Sequence, residues 1–166
     1  MCVFGGGVGF FFDAGIIQLI MPFSKSLLRH PMARSTLEDM IGDKHFQLYL
    51  PDEHPDHLES PNKIKRHILC TGQVYYALLR AREQNKMTDV AISRVEQLNP
   101  FPYEQVKDHV DKYPNSEIIW CQEEPLNMGM WQHVAPRINT SLSQTENFKG
   151  KFNTFVMRHT NFVSMV

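Results

Sequence analysis

Three apolar runs alternate with two helix-like segments between Ile68 and Asn127, and this alternation constrains the fold of the chain most. The runs begin at Ile68, Val90 and Ile118, and each ends in a cluster of polar residues. The apolar residues of the two segments between them recur with helical spacing. Strands that are apolar throughout are typical of a parallel sheet covered on both faces. The pattern therefore predicts an α/β fold, a three-layer α/β/α sandwich with a mostly parallel sheet.

The predicted elements follow from this pattern. Four strands of one sheet are placed at Ile16–Phe23, Ile64–Cys70, Asp89–Val95 and Ile118–Cys121. A further strand is predicted at Phe46–Leu50, where apolar and polar residues alternate. Helices are predicted from Thr71-Gly72 to Asn85, over Tyr103–Tyr113, and over Asn127–Leu142, where Pro136 is expected to break or kink the helix. The tail from Phe148 to Val166 has no period and no capping signal, so it predicts no element.

Composition bounds the class of protein. A length of 166 residues fits one domain with a core. The net charge of -1 gives no reason to expect nucleic acid or an anionic membrane surface as a partner. Asp13 and several glycines interrupt the apolar first 21 residues, which therefore do not predict a membrane span. The three cysteines form neither a disulfide framework nor a zinc motif, and they favour a reducing compartment.

Polar side chains at the ends of the predicted strands form the first candidate site. Glu96 and Gln97 follow one strand, and Gln122, Glu123 and Glu124 follow the next. Open parallel sheets bind ligands at this edge. The carboxylates could bind a cation, transfer protons or pair with arginines across a subunit interface. A solvated rim of strand ends explains the same residues, and the sequence leaves these alternatives open.

A candidate anion site lies at the same predicted edge. Thr71 and Gly72 open a helix, whose N-terminus offers free N–H groups to a phosphate or carboxylate. Lys25 and Arg29, with Arg34 nearby, follow the first predicted strand, so we expect Lys25 and Arg29 to reach this edge. The phosphate of a nucleotide or an acyl-CoA would suit this arrangement. The alternatives are that Thr71 only caps its helix and that the cations form a solvated face.

The loop from Pro51 to Asn62 does not predict a metal site. His54 and His57, beside Asp52 and Glu59, superficially offer metal ligands. The proline-rich loop gives them no preorganised geometry.

Four separated segments carry a resemblance to one family. They read FSKSLLRHPMARS, ILCTGQVYYALLRAR, AISRVEQLNPFP and WCQEEPLNMGMW. Together they resemble the C-terminal domain of the thiamine-diphosphate-dependent decarboxylating component of 2-oxoglutarate dehydrogenase, closest to fungal or other eukaryotic members. The resemblance covers about Pro22 to Lys149. It implies a transketolase-like C-terminal domain that supports the dimer and shapes the region around the active-site channel. In some bacterial relatives this domain also contributes to an acyl-CoA regulatory site.

The resemblance also implies a cellular setting. Thiamine diphosphate, its magnesium ion and the catalytic residues belong to other domains of the family enzyme, so no catalytic, cofactor-binding or metal-binding residue is assigned here. The implied partners are a second subunit and the dihydrolipoyl succinyltransferase core, in the mitochondrial matrix and the citric acid cycle. No transit peptide is recognisable in the first residues.

The sequence divides into three parts on this basis. Residues 1–21 form a divergent glycine-rich segment, residues 22–150 the family-like domain, and residues 151–166 a divergent tail. This division predicts a truncated fragment that does not catalyse the reaction alone. The alternatives are a non-catalytic binding or regulatory module and an inert fragment.

Overall fold

The fold was analysed in a computed structural model of the chain, which describes residues 12–13, 16–17, 24–43, 45–150 and 152–157. The three α-helices are α1 (Val74–Gln84), α2 (Tyr103–Val110) and α3 (Trp131–Ser143). The strands are β1 (Phe12–Asp13), β2 (Ile16–Ile17), β3 (Tyr49–Leu50), β4 (Arg66–Cys70), β5 (Val90–Val95), β6 (Glu117–Gln122) and β7 (Phe152–Met157). Short 3-10 helices lie at Leu27–Arg29, Pro55–His57 and Pro61–Lys63.

Five strands form the main sheet in the order β3-β5-β4-β6-β7. Strand β4 pairs in parallel with both β5 and β6, and β7 pairs in parallel with β6. Only the short edge strand β3 runs antiparallel among these five. Because β4 separates β5 from β6, these two strands do not form an antiparallel hairpin. The predicted mostly parallel sheet is confirmed.

The two faces of the sheet bury separate cores. Ile68 and Cys70 of β4 pack with Val74 and Leu78 of α1. The intervening Leu69 packs on the opposite face, against α2 and α3. Side chains alternate between the faces of a strand, so β4 contributes to both cores. The arrangement has three layers, with α1 on one side and α2 and α3 on the other, which confirms the predicted α/β class.

Two strand predictions were wrong. Ile16–Ile17 pairs antiparallel with Phe12–Asp13 in a separate two-stranded sheet, so it does not join the main sheet. The remainder of the predicted strand, residues 18–23, lies outside the described residues. The tail predicted no element, yet Phe152–Met157 forms β7 at the edge of the main sheet. The apolar residues of one strand do not specify which strand it pairs with, and pairing decided both cases.

Helix boundaries also differ from the predictions. The last helix begins at Trp131 instead of Asn127 and continues through Pro136 to Ser143 without a break. Proline lacks the N–H that would bond to the carbonyl of Gln132. Gln132 and Pro136 are both exposed, so water can hydrate that carbonyl. Of the predicted strand Phe46–Leu50, only Tyr49–Leu50 pairs with β5, while the carbonyl of Leu48 accepts the N–H groups of Glu96 and Gln97.

Candidate functional site at the carboxyl edge of the sheet

The ends of β4, β5 and β6 meet at one edge of the main sheet. Cys70 lies opposite Arg94 on one side and opposite Cys121 on the other. The residues that follow these strands therefore emerge side by side. The predicted convergence of Thr71, Glu96 and Gln122 at one edge agrees with this register.

A hydrogen-bonded bridge centred on Gln73 joins distant parts of the chain at this edge. Its Nε2 donates to Glu123 Oε2 at 2.7 Å. Its Oε1 accepts hydrogen bonds from Ser24 Oγ and Ser26 Oγ, each at 3.1 Å. The segment that carries Lys25 is thereby fastened to the strand ends. Sequence reasoning missed Gln73, although its position directly after Thr71-Gly72 was a usable signal.

The predicted cations lie in the exposed part of this segment. Lys25 and Arg29 are both exposed, and within residues 24–43, 45–150 and 152–157 neither forms an ion pair. Arg34 is exposed as well. Lys25 lies between the two serines of the bridge, so its backbone is at the predicted edge.

Thr71 does not cap the following helix. Helix α1 begins at Val74, and its N-cap position is occupied by Gln73, whose side chain makes no cap hydrogen bond. Gly72 adopts a positive φ of 76°, a left-handed conformation that glycine adopts without steric cost. The interpretation of Thr71 as an N-cap was therefore wrong, because a left-handed residue separates it from the helix.

Glu96 is a buried residue and not part of a solvated rim. Its side chain faces Arg94 within the same chain, with Arg94 Nε 3.5 Å from Glu96 Oε1. The other end of the guanidinium donates to Glu53 Oε1 at 2.7 Å. The guanidinium also lies 4.4 Å from the ring centroid of Tyr75 on α1. Arg94 thus pairs with two carboxylates of the same domain.

Gln97 and Gln122 organise the loops that follow their strands. Gln97 Nε2 donates to the carbonyl of Pro100 at 2.9 Å. Gln122 is almost fully buried, and its Oε1 accepts from Trp120 Nε1 at 3.0 Å. Its Nε2 donates to the carbonyls of Met128 and Glu124, at 2.7 and 3.2 Å. Both amides therefore hold turns in place, and Glu123 and Glu124 remain half-buried at the edge.

Asp52 forms a buried ion pair with Arg82 of α1. Arg82 Nη1 bonds to Asp52 Oδ2, and Arg82 Nη2 donates to Asp52 Oδ1 at 3.2 Å. The same carboxylate accepts the backbone N–H of Ile92 and of His54, at 2.8 and 2.9 Å. Asp52 thus bonds to β5 at Ile92, outside the residues of β5 that pair with β3. Asp52 is buried, whereas the other residues of the loop from Pro51 to Asn62 are exposed or half-buried.

The two histidines of that loop lie next to each other. The rings of His54 and His57 stack with centroids 5.6 Å apart. Among the described residues, no group of three histidine, cysteine or acidic side chains could hold a metal ion.

A second buried polar group lies under α2. His67 of β4 is fully buried, and its Nε2 is 2.9 Å from Ser93 Oγ and 3.4 Å from the hydroxyl of Tyr49. Its Nδ1 has no hydrogen-bond partner among the described residues. Burial, with a smaller contribution from His109, lowers the pKa of His67 to about 3. The imidazole is therefore neutral at physiological pH.

Comparison with known families decides where this domain belongs. The family model described as "2-oxoglutarate dehydrogenase C-terminal" matches residues 34–163. The chain belongs to this family. The resemblance to this family is thereby confirmed. The matched range includes all three helices and β3 to β7.

Individual relatives agree with the family assignment. Mitochondrial 2-oxoglutarate dehydrogenase of Schizosaccharomyces pombe is 52% identical over 126 residues, which cover 75% of this chain and 12% of that relative. The enzyme of Saccharomyces cerevisiae is 45% identical over 133 residues, covering 79% and 13%. That of Dictyostelium discoideum is 48% identical over 118 residues, covering 71% and 12%. The chain therefore spans only a small part of the length of these 2-oxoglutarate dehydrogenases.

These relatives are all named mitochondrial. In the described part of the chain, no helix has the length and apolar character needed to cross a bilayer.

Proposed function

We propose that this chain serves as the C-terminal domain of a 2-oxoglutarate dehydrogenase and supports the dimer and the active-site channel of the assembled enzyme. The observation that carries this proposal is the bridge from Ser24 and Ser26 through Gln73 to Glu123. It fastens an exposed segment to the strand ends, where open parallel sheets present their functional surface. The setting would be the citric acid cycle in the mitochondrial matrix.

The domain would act through partners and not catalyse the reaction by itself. This proposal is supported by two observations: among the described residues no three histidine, cysteine or acidic side chains converge, and the buried Glu96 is paired with Arg94. The chain also spans 12% of the S. pombe relative. We therefore assign thiamine diphosphate and magnesium to other domains of the assembled enzyme. The partners would be a second subunit and the dihydrolipoyl succinyltransferase core.

Complementation tests this proposal directly. The full 166-residue chain would be co-expressed with an S. pombe 2-oxoglutarate dehydrogenase lacking its matching C-terminal region. We expect dimer formation and 2-oxoglutarate turnover to be restored only when both chains are present. The chain alone, assayed with thiamine diphosphate, magnesium and an artificial electron acceptor, should show no turnover. Turnover by the chain alone, or no restoration in the mixture, would contradict the proposal.

A regulatory anion site at Lys25, Arg29, Thr71 and Gly72 is the second candidate function. The bridge that holds Ser24 and Ser26 at the sheet edge favours it, because Lys25 lies between them. An acyl-CoA or nucleotide phosphate would pair with exposed cations there.

The alternative of an inert fragment predicts no cooperative melt by circular dichroism, whereas both candidate functions require one.

Titration with acetyl-CoA and with AMP at low salt tests this second candidate. We expect saturable binding to the wild type and a loss of at least about tenfold in affinity for Lys25→Ala/Arg29→Ala. Lys63→Ala/Lys65→Ala removes two exposed cations before β4, at the opposite end of that strand, and serves as the control. Equal or absent binding in all three proteins would show that the basic group is only a solvated face.

A further inference from the structure

Two cysteines lie directly opposite each other at the carboxyl edge of the main sheet. Cys70 is the last residue of β4, and the parallel register pairs it with Cys121 of β6. Both are reduced, fully buried and part of the same apolar core under α1. Their side chains therefore leave neighbouring strands on the same face of the sheet.

The spacing of the two strands allows a disulfide between these cysteines, but a strained one. Opposed residues of neighbouring strands have Cα atoms about 4.8 Å apart, inside the range of about 4.4–6.8 Å that disulfides span. The Cβ atoms of a disulfide lie about 3.8 Å apart, which is closer than the strand spacing. Closing the bond would therefore draw the ends of β4 and β6 together. Strained disulfides have higher reduction potentials, and they are labile and regulatory instead of structural.

The thiol of Cys70 contacts the strand on its other side in the structure. Cys70 Sγ donates to the carbonyl of Ser93 on β5 at 3.6 Å. The thiol must therefore rotate about the Cα–Cβ bond before it can bond to Cys121 on β6. A close-packed interior leaves little room for this rotation or for an oxidant to enter. The pair should react only when the edge of the sheet opens.

The Gln73 bridge closes the edge immediately beyond the two cysteines. Gln73 follows Cys70 by three residues, Glu123 follows Cys121 by two, and the hydrogen bond between them joins both strand ends. Local opening at the end of an element requires less free energy than unfolding of the whole domain. Opening of this bridge is thus the shortest route by which an oxidant reaches the thiols.

We propose that Cys70 and Cys121 form a reversible disulfide in the presence of a peroxide, and that the Gln73 bridge controls the rate. One thiolate attacks a peroxide oxygen, which gives a sulfenic acid and hydroxide. The second thiolate attacks the sulfenic sulfur, so the S–S bond forms and a second hydroxide leaves. The two thiols thereby lose two electrons to the peroxide, and their protons leave in two water molecules. In a reducing compartment, a transient disulfide of this kind senses oxidants.

Peptide mapping after oxidation tests the pairing. The full chain carrying Cys2→Ser would be treated with hydrogen peroxide, blocked with N-ethylmaleimide and digested with trypsin. Residues 67–80 and 113–137 each contain one cysteine, and we expect them to be recovered as one linked peptide. Excess reduced glutathione should separate them, because the disulfide is strained. The further changes Cys70→Ala and Cys121→Ala should each abolish the link.

Three outcomes of this mapping would overturn the proposal. The first is the absence of the linked peptide after prolonged oxidation of the folded protein. The second is a link found only between two molecules, which non-reducing electrophoresis would reveal. The third is a link that survives excess glutathione, because such a disulfide would be structural and not a sensor.

The rate of oxidation tests the role of the Gln73 bridge. Loss of its hydrogen bonds in Gln73→Ala should make the linked peptide form about fivefold faster. Gln84→Ala changes an exposed glutamine of the same helix and should leave the rate as it was. Circular dichroism would verify that both variants are folded. Equal rates in Gln73→Ala and its parent would refute control by the bridge and so overturn the proposal.

Discussion

Gln73 and Glu123 are fifty residues apart in sequence, yet Gln73 Nε2 donates to Glu123 Oε2 at 2.7 Å. Each residue follows a different parallel strand, and the register of β4 with β6 brings them together. Since Gln73 also accepts from two serines near the start of the described chain, one side chain joins three segments. The edge that the strand pattern predicts is thus held together by a residue the pattern does not single out.

Loss of the Gln73 bridge should release the segment around Ser24. We expect Gln73→Ala to cost about 1 kcal/mol in the free energy of unfolding, since partly exposed hydrogen bonds contribute modestly. Proteolytic cleavage between Ser24 and His30 should become faster. Gln84→Ala, at the exposed end of the same helix, is the control and should change neither quantity. Unchanged cleavage in Gln73→Ala would mean that the bridge does not hold the segment.

The Asp52–Arg82 pair should be costly to break from one side. Arg82→Met leaves the buried Asp52 carboxylate without its cation, and we expect a loss of about 3–5 kcal/mol in urea unfolding. Arg80→Met on the exposed face of α1 should cost less than about 0.5 kcal/mol. The double change Asp52→Leu/Arg82→Met does not isolate the ion pair, because it also removes the acceptor of two backbone N–H groups. A loss below about 1 kcal/mol for Arg82→Met would show that water replaces the cation.

His67 should make the domain sensitive to acid. Its pKa is about 3 in the folded protein, against an ordinary value of 6.5 in the unfolded chain. Below pH 6.5 the unfolded state therefore binds a proton that the folded state does not. Stability should fall as pH decreases from 6.5 towards 3, by up to about 1.4 kcal/mol per pH unit from this residue.

Removing the imidazole should reduce this pH dependence. His67→Met is expected to be less stable than the wild type at pH 8, because Ser93 loses its partner. Between pH 6.5 and 4 its free energy of unfolding should fall less steeply than that of the wild type. Burial also lowers the pKa of His109, so His109→Gln is measured in parallel to separate the two contributions. Identical slopes for wild type and His67→Met would refute the assignment.

Gly129 should tolerate no side chain. Its φ is +69°, and an added Cβ would lie 2.6 Å from Gln122 Nε2 and 2.8 Å from Glu124 Oε2. We expect Gly129→Ala to cost about 2–3 kcal/mol by thermal unfolding, from the backbone conformation and the contacts together. Gly42 has a φ of +77° but nothing within 4 Å of its Cβ position, so Gly42→Ala reports the backbone cost alone. Equal losses in the two variants would show that Gln122 moves aside freely.

The sequence by itself determined the elements whose apolar residues follow the pattern of a buried strand or helix. The three central strands were predicted near their observed bounds, because a strand covered on both faces must be apolar along its length. The common edge of Thr71, Glu96 and Gln122 followed from the same reasoning, since equivalent ends of parallel strands lie together. Three of the four family segments begin in these strands and continue into the turns and helices that follow them.

Only the tertiary structure decided which partners the remaining residues have. Phe152–Met157 became β7 because β6 had an unpaired edge, whereas Ile16–Ile17 paired locally with Phe12–Asp13. Asp52 is buried against Arg82, 30 residues away, and Arg94 donates to Glu53, 41 residues away. Hydrogen bonds and ion pairs depend on distances of a few ångströms between groups far apart in sequence. No local period records those distances, so only the packed fold assigns these partners.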